Sequence, residues 1–493
     1  MTSTPRGRLV VHAHFHQPDR EDPFTGEVPG ELSASPFHDW MARVDAECYR
    51  PNAERGNFAG ISFDVGPLLA GWLSANDPST AAAIVAADAG RPGGNAMALP
   101  YHHTILPLAS MAERRTEIRW GLRAFEVSYG RAATGMWLPE TAVDLPTLRL
   151  LADEGVAFTV LAPWQTAEHH LDTRRPYRVE LGDERTMTVV FYDAGISGSV
   201  SFDQATTSDA DRFARDSVLP RLAGTPFADG TPGLVLVATD GELYGHHQKF
   251  RDLFLQHLVA PGPNERDRGF DIVGLAEAIE ASPQPFPAAR IRERTSWSCH
   301  HGVARWGWEC PDAHDGRWKA PLRAALTRLA TAVDAAAGRR LAEAGVELGP
   351  ARDAYVDVVL GVVPAEAFVA RLATASGAGP AATAGTAGTA ATKLPAGIDA
   401  ATILDLLEAE RWRLAMFASD AWFWEDPIRP ETKEVLRFAA RAARLVDRRA
   451  GTRLEEAFIE DLHLFHSPSA HLDGAAIYGI ALEEVGEAGV PIG

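Results

Sequence analysis

Gly233-Leu-Val-Leu-Val-Ala-Thr-Asp240 runs directly into the polar segment Gly-Glu-Leu-Tyr-Gly-His-His247. The apolar half contains several β-branched residues and does not alternate with polar ones, which is typical of a parallel strand buried on both faces. Its polarity changes abruptly at Asp240. The segment therefore predicts a buried parallel strand with a carboxylate at its carboxyl end.

The first apolar run of the chain shows the same change of polarity. It reads Arg8-Leu-Val-Val-His-Ala-His-Phe-His-Gln-Pro18. Its histidines at positions 12, 14 and 16 share one parity and therefore one face of a strand. The run predicts a strand that carries a row of imidazoles toward its carboxyl end.

A second carboxylate ends the segment Met136-Trp-Leu-Pro-Glu140. In a barrel of parallel strands the carboxyl ends converge on one face, so residues far apart in sequence meet around one substrate. Glu140 and Asp240 therefore favour a hydrolase that works with two carboxylates.

Two architectures follow one another along the chain. Up to about residue 290, short apolar runs alternate with helix-like stretches, which predicts parallel β/α units. Beyond it, helical spacing dominates, so we predict a catalytic barrel at 1–290 and a helical domain at 291–493. A low-complexity Ala/Gly/Thr/Pro segment at about 373–397 predicts a mobile surface insertion within that domain.

Composition narrows the classes of function. The 493 residues are 46% hydrophobic, enough for a large core and more than one domain. A net charge of −19 without a basic stripe argues against nucleic acid and anionic membranes as partners. The three cysteines do not suggest a disulfide framework, and neither a signal peptide nor a spanning segment is evident. These features predict a cytoplasmic protein, and they leave its oligomeric state open.

Three motifs in order resemble the signature regions of glycoside hydrolase family 57. They are His16-Gln-Pro18, Trp137-Leu-Pro-Glu140 and Asp240-Gly-Glu-Leu-Tyr-Gly-His-His-Gln248. The resemblance covers roughly residues 8–310. The remaining part resembles a helical domain of unassigned function that is fused to one subgroup of the family.

The resemblance implies a (β/α)7 barrel, an incomplete TIM-like fold, followed by an α-helical domain. It also implies retaining chemistry on α-linked glucans, by an amylase, a 4-α-glucanotransferase or a branching enzyme, without a cofactor. Glu140 would then be the nucleophile and Asp240 the acid/base. The chain departs from the amylase-type pattern at Gly94-Asn95, where those members carry a glutamate after a Gly-Gln pair.

The substrate itself is expected to be an oligosaccharide or polysaccharide. Indole rings can offer flat apolar faces to a sugar, while imidazoles and carboxyls can hydrogen-bond its hydroxyls. The candidates for substrate contact are His14, His16, His103, Trp137, Trp164, Glu242, His246, Trp297 and Trp424.

Two other functions are compatible with the same residues. His12, His14 and His16 could hold a metal ion with an open coordination position, as in a metal-dependent hydrolase or deacetylase. A non-catalytic carbohydrate-binding protein could keep the same fold, although it would not need both Glu140 and Asp240. For the glycosidase we predict no metal.

Overall fold

The computed structural model describes residues 7–222, 227, 233–259, 268–313, 315–376 and 398–488. The chain divides into two compact units. The barrel unit comprises Met1–Asp19, Gly30–Pro107 and Phe125–Val303, and the helical unit comprises Arg20–Pro29, Leu108–Ala124 and Ala304–Gly493. The domain boundary predicted after residue 290 stays a prediction. From residue 377 to its end, the predicted insertion lies outside the described residues.

All the strands lie in the barrel unit as far as the structure describes it. They are β1 (Gly7–Phe15), β2 (Ser62–Val65), β3 (Ala96–Met97), β4 (Phe158–Leu161), β5 (Tyr177–Gly182), β6 (Arg185–Phe191), β7 (Leu234–Asp240), β8 (Phe270–Ile272) and β9 (Ala288–Ala289). One sheet has the order β3-β2-β1-β7, with β8 also paired to β1, and the other has the order β4-β6-β5-β9. The pairs are parallel except for β5 with β6.

Short bridges join the two sheets into one barrel. The segment Gly135–Met136 pairs in parallel with Ala98, which follows β3, and with Phe158 at the start of β4. At the other seam, the Asp193 amide, just after β6, donates to Leu236 O of β7 at 2.9 Å. The ring of β1, β2, β3, the 135–136 segment, β4, β6 and β7 confirms the predicted barrel with seven strand positions.

The barrel interior is filled by residues of one parity on each strand. On β7 these are Leu234, Leu236 and Ala238, which pack in one buried cluster with Val10 of β1. Continuing the same parity gives Asp240 on β7 and His12 and His14 on β1. The polar residues predicted to carry chemistry therefore lie on top of the apolar layers, at the carboxyl ends of the strands.

Helices connect the strands, and several begin after an aspartate that caps them. Asp77, Asp144 and Asp193 each accept a hydrogen bond from a backbone amide of the first turn. The helices up to residue 280 are α1 (Trp40–Val44), α2 (Arg50–Glu54), α3 (Pro67–Asn76), α4 (Pro78–Ala89), α5 (Met111–Tyr129), α6 (Leu145–Asp153), α7 (Ala194–Phe202), α8 (Ala210–Phe213), α9 (Leu219–Leu222), α10 (Arg251–Val259) and α11 (Leu275–Glu280). Five-residue π-helices, Asp45–Tyr49 and Ala214–Val218, follow α1 and α8.

The helical unit confirms the predicted helical C-terminal region. Its helices are α12 (Lys319–Ala342), α13 (Leu348–Val359), α14 (Ala365–Ser376), α15 (Ala400–Ala415), α16 (Asp420–Phe423), α17 (Pro430–Ala450), α18 (Leu454–Leu462) and α19 (Gly474–Ala488). α15 and α17 are lined by buried residues such as Leu407, Trp412 and Phe438, and the last two rings stack at 5.1 Å. Among the helices that the structure describes, none has the length and apolar character needed to cross a membrane.

Candidate active site

Three neighbouring strands bring His14 between two acidic residues. In the parallel register, His14 of β1 pairs with Asp64 of β2 on one side and with Asp240 of β7 on the other. Residues paired in this way project from the same face of a sheet. The barrel therefore places an imidazole between two carboxylates at the level where its apolar interior ends.

Asp64 is buried with no exposed surface and binds two imidazoles. Its Oδ1 lies 2.7 Å from His14 Nδ1, and its Oδ2 lies 3.0 Å from His12 Nε2. The second ring nitrogen of His12, Nδ1, lies 3.2 Å from Ser62 Oγ. Both oxygens of a carboxylate that water cannot reach are thus satisfied by protein groups.

The protonation of His14 depends on this contact. Burial disfavours the charged ring, but the charge and hydrogen bond of Asp64, together with the charges of Asp240 and Glu242, raise the pKa of His14 to about 9. Burial also works against the ionised carboxyl, but the His14 and His12 rings hold the pKa of Asp64 below its usual value. His14 is consequently an imidazolium at neutral pH.

A second buried imidazole, His103, faces the first. Its Nε2 lies 3.3 Å from His14 Nε2, and its ring stacks on that of His16 with centroids 3.7 Å apart. Burial and the neighbouring His16 and His14 rings lower the pKa of His103 well below its usual value. A neutral His103 can therefore accept a hydrogen bond from the Nε2–H group of a charged His14.

Glu140 lies on a strained stretch of backbone. Its φ is 56° and that of Thr141 is 47°, so two consecutive residues with side chains adopt the left-handed region. Gln165, itself buried, anchors the turn by accepting from Thr141 Oγ1 and donating to Thr141 O, both at 2.8 Å. Strain of this kind costs about 1–3 kcal/mol per residue and is concentrated at functional sites.

The Glu140 carboxyl is held by two donors on one oxygen. The Trp297 indole N–H donates to Oε2 at 2.9 Å, and the Ser298 hydroxyl donates to the same oxygen. Burial raises the pKa of Glu140, and the charge of Asp240 adds to the effect, although the two hydrogen bonds and the His14 imidazolium oppose it. The ionised form of Glu140 therefore depends on the hydrogen bonds from Ser298 and Trp297 and on the charge of His14.

Glu242 lies two residues beyond Asp240 and is buried, whereas the Asp240 side chain is exposed. The Tyr49 hydroxyl donates to Glu242 Oε1 at 2.7 Å, and the His16 amide donates to the same oxygen at 3.2 Å. Burial raises the pKa of Glu242 to about 7, an effect that the Tyr49 hydrogen bond opposes and the Asp240 carboxylate strengthens. Glu242 can therefore hold a proton near neutral pH.

The π-helix Asp45–Tyr49 holds the loop that carries Glu242. Cys48 Sγ donates to Gly241 O at 3.5 Å, and Glu47 Oε2 lies 2.6 Å from His246 Nδ1. Gly245 approaches this helix so closely that a Cβ there would lie 2.4 Å from Glu47 O. Such π-helical turns are frequent at functional sites.

Aromatic rings surround the histidines and Glu140. Trp137 is fully buried and stacks on His12 at 4.6 Å, so it supports the histidine row and presents no face to solvent. Trp297 contacts Trp137 edge to face at 5.1 Å. Trp164 is 39% exposed, and its indole N–H donates to Ser296 O at 2.9 Å. Of these three indoles, Trp164 has the most exposed ring.

Family comparison agrees with this geometry. Residues 95–285 match the model of glycosyl hydrolase family 57, and residues 315–484 match a domain of unknown function, DUF3536. The matched segment contains Glu140, Asp240 and Glu242 of the site.

Several solved structures have a fold similar to that of this chain. An exo-type maltose-forming amylase from Pyrococcus sp. ST04 has a TM-score of 0.69 and 15% identity, over 96% of this chain and 88% of that one. A branching enzyme from Pyrococcus horikoshii has a TM-score of 0.58 and 14% identity, over 97% and 94% of the chains. A 4-alpha-glucanotransferase from Thermococcus litoralis has 0.56 and 13%, over 89% and 60%. At these identities the likeness establishes the fold; no curated protein matches the chain in sequence.

The barrel brings most of the predicted site residues together. Direct contacts or charge effects join the following residues in one cluster: His14, His16, His103, Trp137, Glu140, Asp240, Glu242 and Trp297. Trp164 adjoins this cluster through Tyr192, whose ring lies 6.0 Å from Trp164 and 6.4 Å from Trp297. His246 binds Glu47 instead.

Trp424 belongs to the helical unit. There it is 37% exposed, and the Arg429 guanidinium lies over its ring at 4.0 Å. A role for Trp424 in substrate binding stays a prediction.

Three residues of this site were not among the sequence candidates, namely Asp64, Tyr49 and Ser298. Asp64 had a detectable signal, since it is an acidic residue in the short apolar run Ile61-Ser-Phe-Asp-Val65 just before Gly-Pro. Tyr49 and Ser298 had none, because their partners lie 193 and 158 residues away in sequence.

One ligand of the alternative metal site, His12, is engaged in other contacts. His12 was expected to offer a ring nitrogen to an ion, but its two nitrogens contact Ser62 and Asp64. A metal ligand needs one nitrogen with a free lone pair directed at the ion. The contacts of His12 are those of a structural residue.

Proposed function

We propose that this chain is a retaining glycoside hydrolase or transglycosylase that acts on α-linked glucans. The observation that carries the proposal is Glu140, whose carboxyl is fixed on a strained turn by Trp297 and Ser298 beside Asp240. Catalytic carboxylates need such fixed geometry, because a small displacement of the attacking atom slows the reaction strongly.

The two carboxylates would divide the work of a double displacement. The donors on Glu140 both use Oε2, which leaves Oε1 to attack the anomeric carbon and form the glycosyl-enzyme bond. Asp240, exposed at the end of β7, would give its proton to the departing glycosidic oxygen and then remove one from the acceptor hydroxyl or water. The imidazolium of His14 favours the ionised form of Glu140 that this attack needs.

The substrate class rests on the solved structures of similar fold. Their names describe a maltose-forming amylase, a branching enzyme and a 4-alpha-glucanotransferase. We infer that this chain also takes α-glucan chains, with Trp164 and Trp297 as ring platforms and His16, His103 and Glu242 near the hydroxyls. A cytoplasmic location, expected from the small and odd number of cysteines, stays a prediction.

Product analysis tests the proposal. Purified protein is incubated with amylose, amylopectin and maltooligosaccharides, with Glu140→Gln as the control for contaminating activity. Shorter products alone mean hydrolysis, and longer or branched products mean transfer. If neither kind forms at a rate above that of the control, the proposed function is wrong.

Activated substrates separate the two carboxylates. Asp240→Asn should spare much of the first step with aryl glycosides, whose leaving groups need little protonation, while natural glucans lose nearly all turnover. Azide should then rescue Asp240→Asn with retained configuration. Glu140→Gln should form no glycosyl-enzyme with either substrate, because an amide does not attack the anomeric carbon. Equal loss on both substrates for both variants would contradict these roles.

A further inference from the structure

We propose that Asp64 is a positioning residue for catalysis, which fixes His14 as the cation that faces the catalytic carboxylates. The inference rests on the proposed function, in which Glu140 and Asp240 do the chemistry. Asp64 lies beside His14 in the strand register, has no exposed surface, and would act through the His14 ring.

The geometry fixes the orientation of the ring. The 2.7 Å contact to Asp64 Oδ1 is made by His14 Nδ1, so Nδ1 carries a proton and Nε2 faces His103. An ionised carboxylate only accepts hydrogen bonds, which excludes the opposite tautomer. The Trp137 ring, 5.5 Å from His14 and nearly parallel to it, limits rotation.

Because Asp64 is fully buried, its carboxylate needs a charged partner such as His14. A carboxylate with no exposed surface costs several kcal/mol unless a cation or several donors compensate it. Its other oxygen already binds His12. The Asp64 carboxylate therefore holds the His14 cation at a fixed position on β1. His14 is in register there with Asp240 of the neighbouring strand β7.

The position of that cation matters for both carboxylates. The groups that face His14 are Asp64 on β2, Asp240 on β7, Glu140, Glu242, His103 and His16. Four of these are carboxyls crowded at the strand ends, and like charges oppose their ionisation. A fixed imidazolium offsets that repulsion and keeps Glu140 available as an anion.

Asp64→Asn tests this role because it keeps the shape and removes the charge. The matched control is Ser62→Ala, which removes the other hydrogen bond of His12 in the same buried row but leaves the Asp64 contact to His14. We expect kcat/KM of Asp64→Asn to fall about 10- to 100-fold, mostly in kcat. Ser62→Ala should show no comparable loss.

The titration of His14 gives a readout that needs no substrate. With 13C-labelled histidine in the full chain, and the His14 signal assigned by its loss in His14→Gln, the midpoint should lie well above 6.5 in the wild type and in Ser62→Ala. In Asp64→Asn it should fall by at least about one pH unit, and the alkaline limb of the kcat/KM profile should move down with it. A purely structural role would leave both in place.

Three results would overturn the inference. The first is an unchanged His14 midpoint in Asp64→Asn. The second is additive loss in the double variant Asp64→Asn/His14→Gln, because a residue that acts through His14 has no further effect once that ring is gone. The third, which applies even if no Asp64 variant folds, is a wild-type midpoint at or below 6.5. Inactivity of the wild type on every glucan would instead overturn the proposed function, and the NMR midpoint would still decide the pairing.

Discussion

Each unit of the molecule buries a group of charged side chains, and the two groups differ in their partners. In the helical unit, Arg413 binds Asp334 through two nitrogens at 2.7 and 2.9 Å, and Arg352 binds Glu410 at 3.0 Å. In the barrel unit, the carboxyls of Glu140 and Glu242 receive hydrogen bonds from indole, hydroxyl and amide groups.

The difference in partners favours a structural role for the first group and a catalytic role for the second. Guanidinium groups do not release their protons, so the cations of the helical unit stay charged and hold helices together, although burial raises the pKa of Glu410 to about 7. At the strand ends the cation is an imidazole that can titrate as well, since the pKa of His14 is about 9 and that of the nearby Glu242 carboxyl is about 7. Groups of perturbed pKa beside a strained turn are typical of an active site.

The largest expected effect is a loss of activity that distinguishes two glutamates, Glu140 and Glu410. Glu140→Gln should lower kcat on α-glucans by about 10⁴-fold or more, because it removes the nucleophile. Glu410→Gln, which is isosteric and lies in the ion-pair group of the helical unit, should show no such loss. Steady-state kinetics on both purified variants checks this, and a similar collapse in Glu410→Gln would mean that the two groups do not differ in role.

The next effect is on stability. Arg413→Met should lower the free energy of unfolding by about 3 kcal/mol, since it leaves the partly buried Asp334 carboxylate without its guanidinium and the buried Glu410 with one cation fewer. The control is Arg453→Met, because Arg453 is 82% exposed and its loss should cost no more than about 0.5 kcal/mol. Urea unfolding measures both. An unchanged free energy of unfolding in Arg413→Met would show that the ion pairs of Arg413 do not stabilise the fold.

Glu242 should make stability depend on pH. Its pKa is raised from 4.5 to about 7 in the folded state, so the folded chain keeps a proton that the unfolded chain releases. The corresponding stability is fully present below about pH 4.5 and is lost as the pH rises to about 7, with a magnitude on the order of 3 kcal/mol. Glu242→Gln lacks this dependence, so it should gain stability relative to the wild type across that interval. Parallel curves for the two proteins would contradict the shift.

The smallest expected effect concerns one hydroxyl. Ser298→Ala removes a donor from Glu140 Oε2 but leaves that of Trp297, so kcat/KM should fall about tenfold. Ser199→Ala, which removes an exposed hydroxyl from α7 of the same unit, is the control. Equal activity of the two variants would show that the serine does not support the nucleophile.

The sequence predicted elements and motifs more fully than contacts. The barrel, the helical region and the family followed from the strand at 234–240, the change of periodicity and three motifs. Glu140, Asp240 and the histidines of β1 were predicted as site residues because each follows or ends an apolar run, and their catalytic and binding roles stay predictions. Trp137 carried the same kind of signal, yet it is buried against His12, because a motif does not indicate which face of a ring the neighbouring strands cover.

The sequence alone determined the order of strands and helices, the parity of His12, His14 and His16, and the carboxylates at the strand ends, because these depend on local periodicity. Only the tertiary structure decided that Asp64 binds His14, that Tyr49 binds Glu242, and that Trp297 and Ser298 hold Glu140. These pairs are separated by 50 to 193 residues in sequence. Such contacts depend on barrel closure and strand register, which the spacing of residues along one strand does not contain.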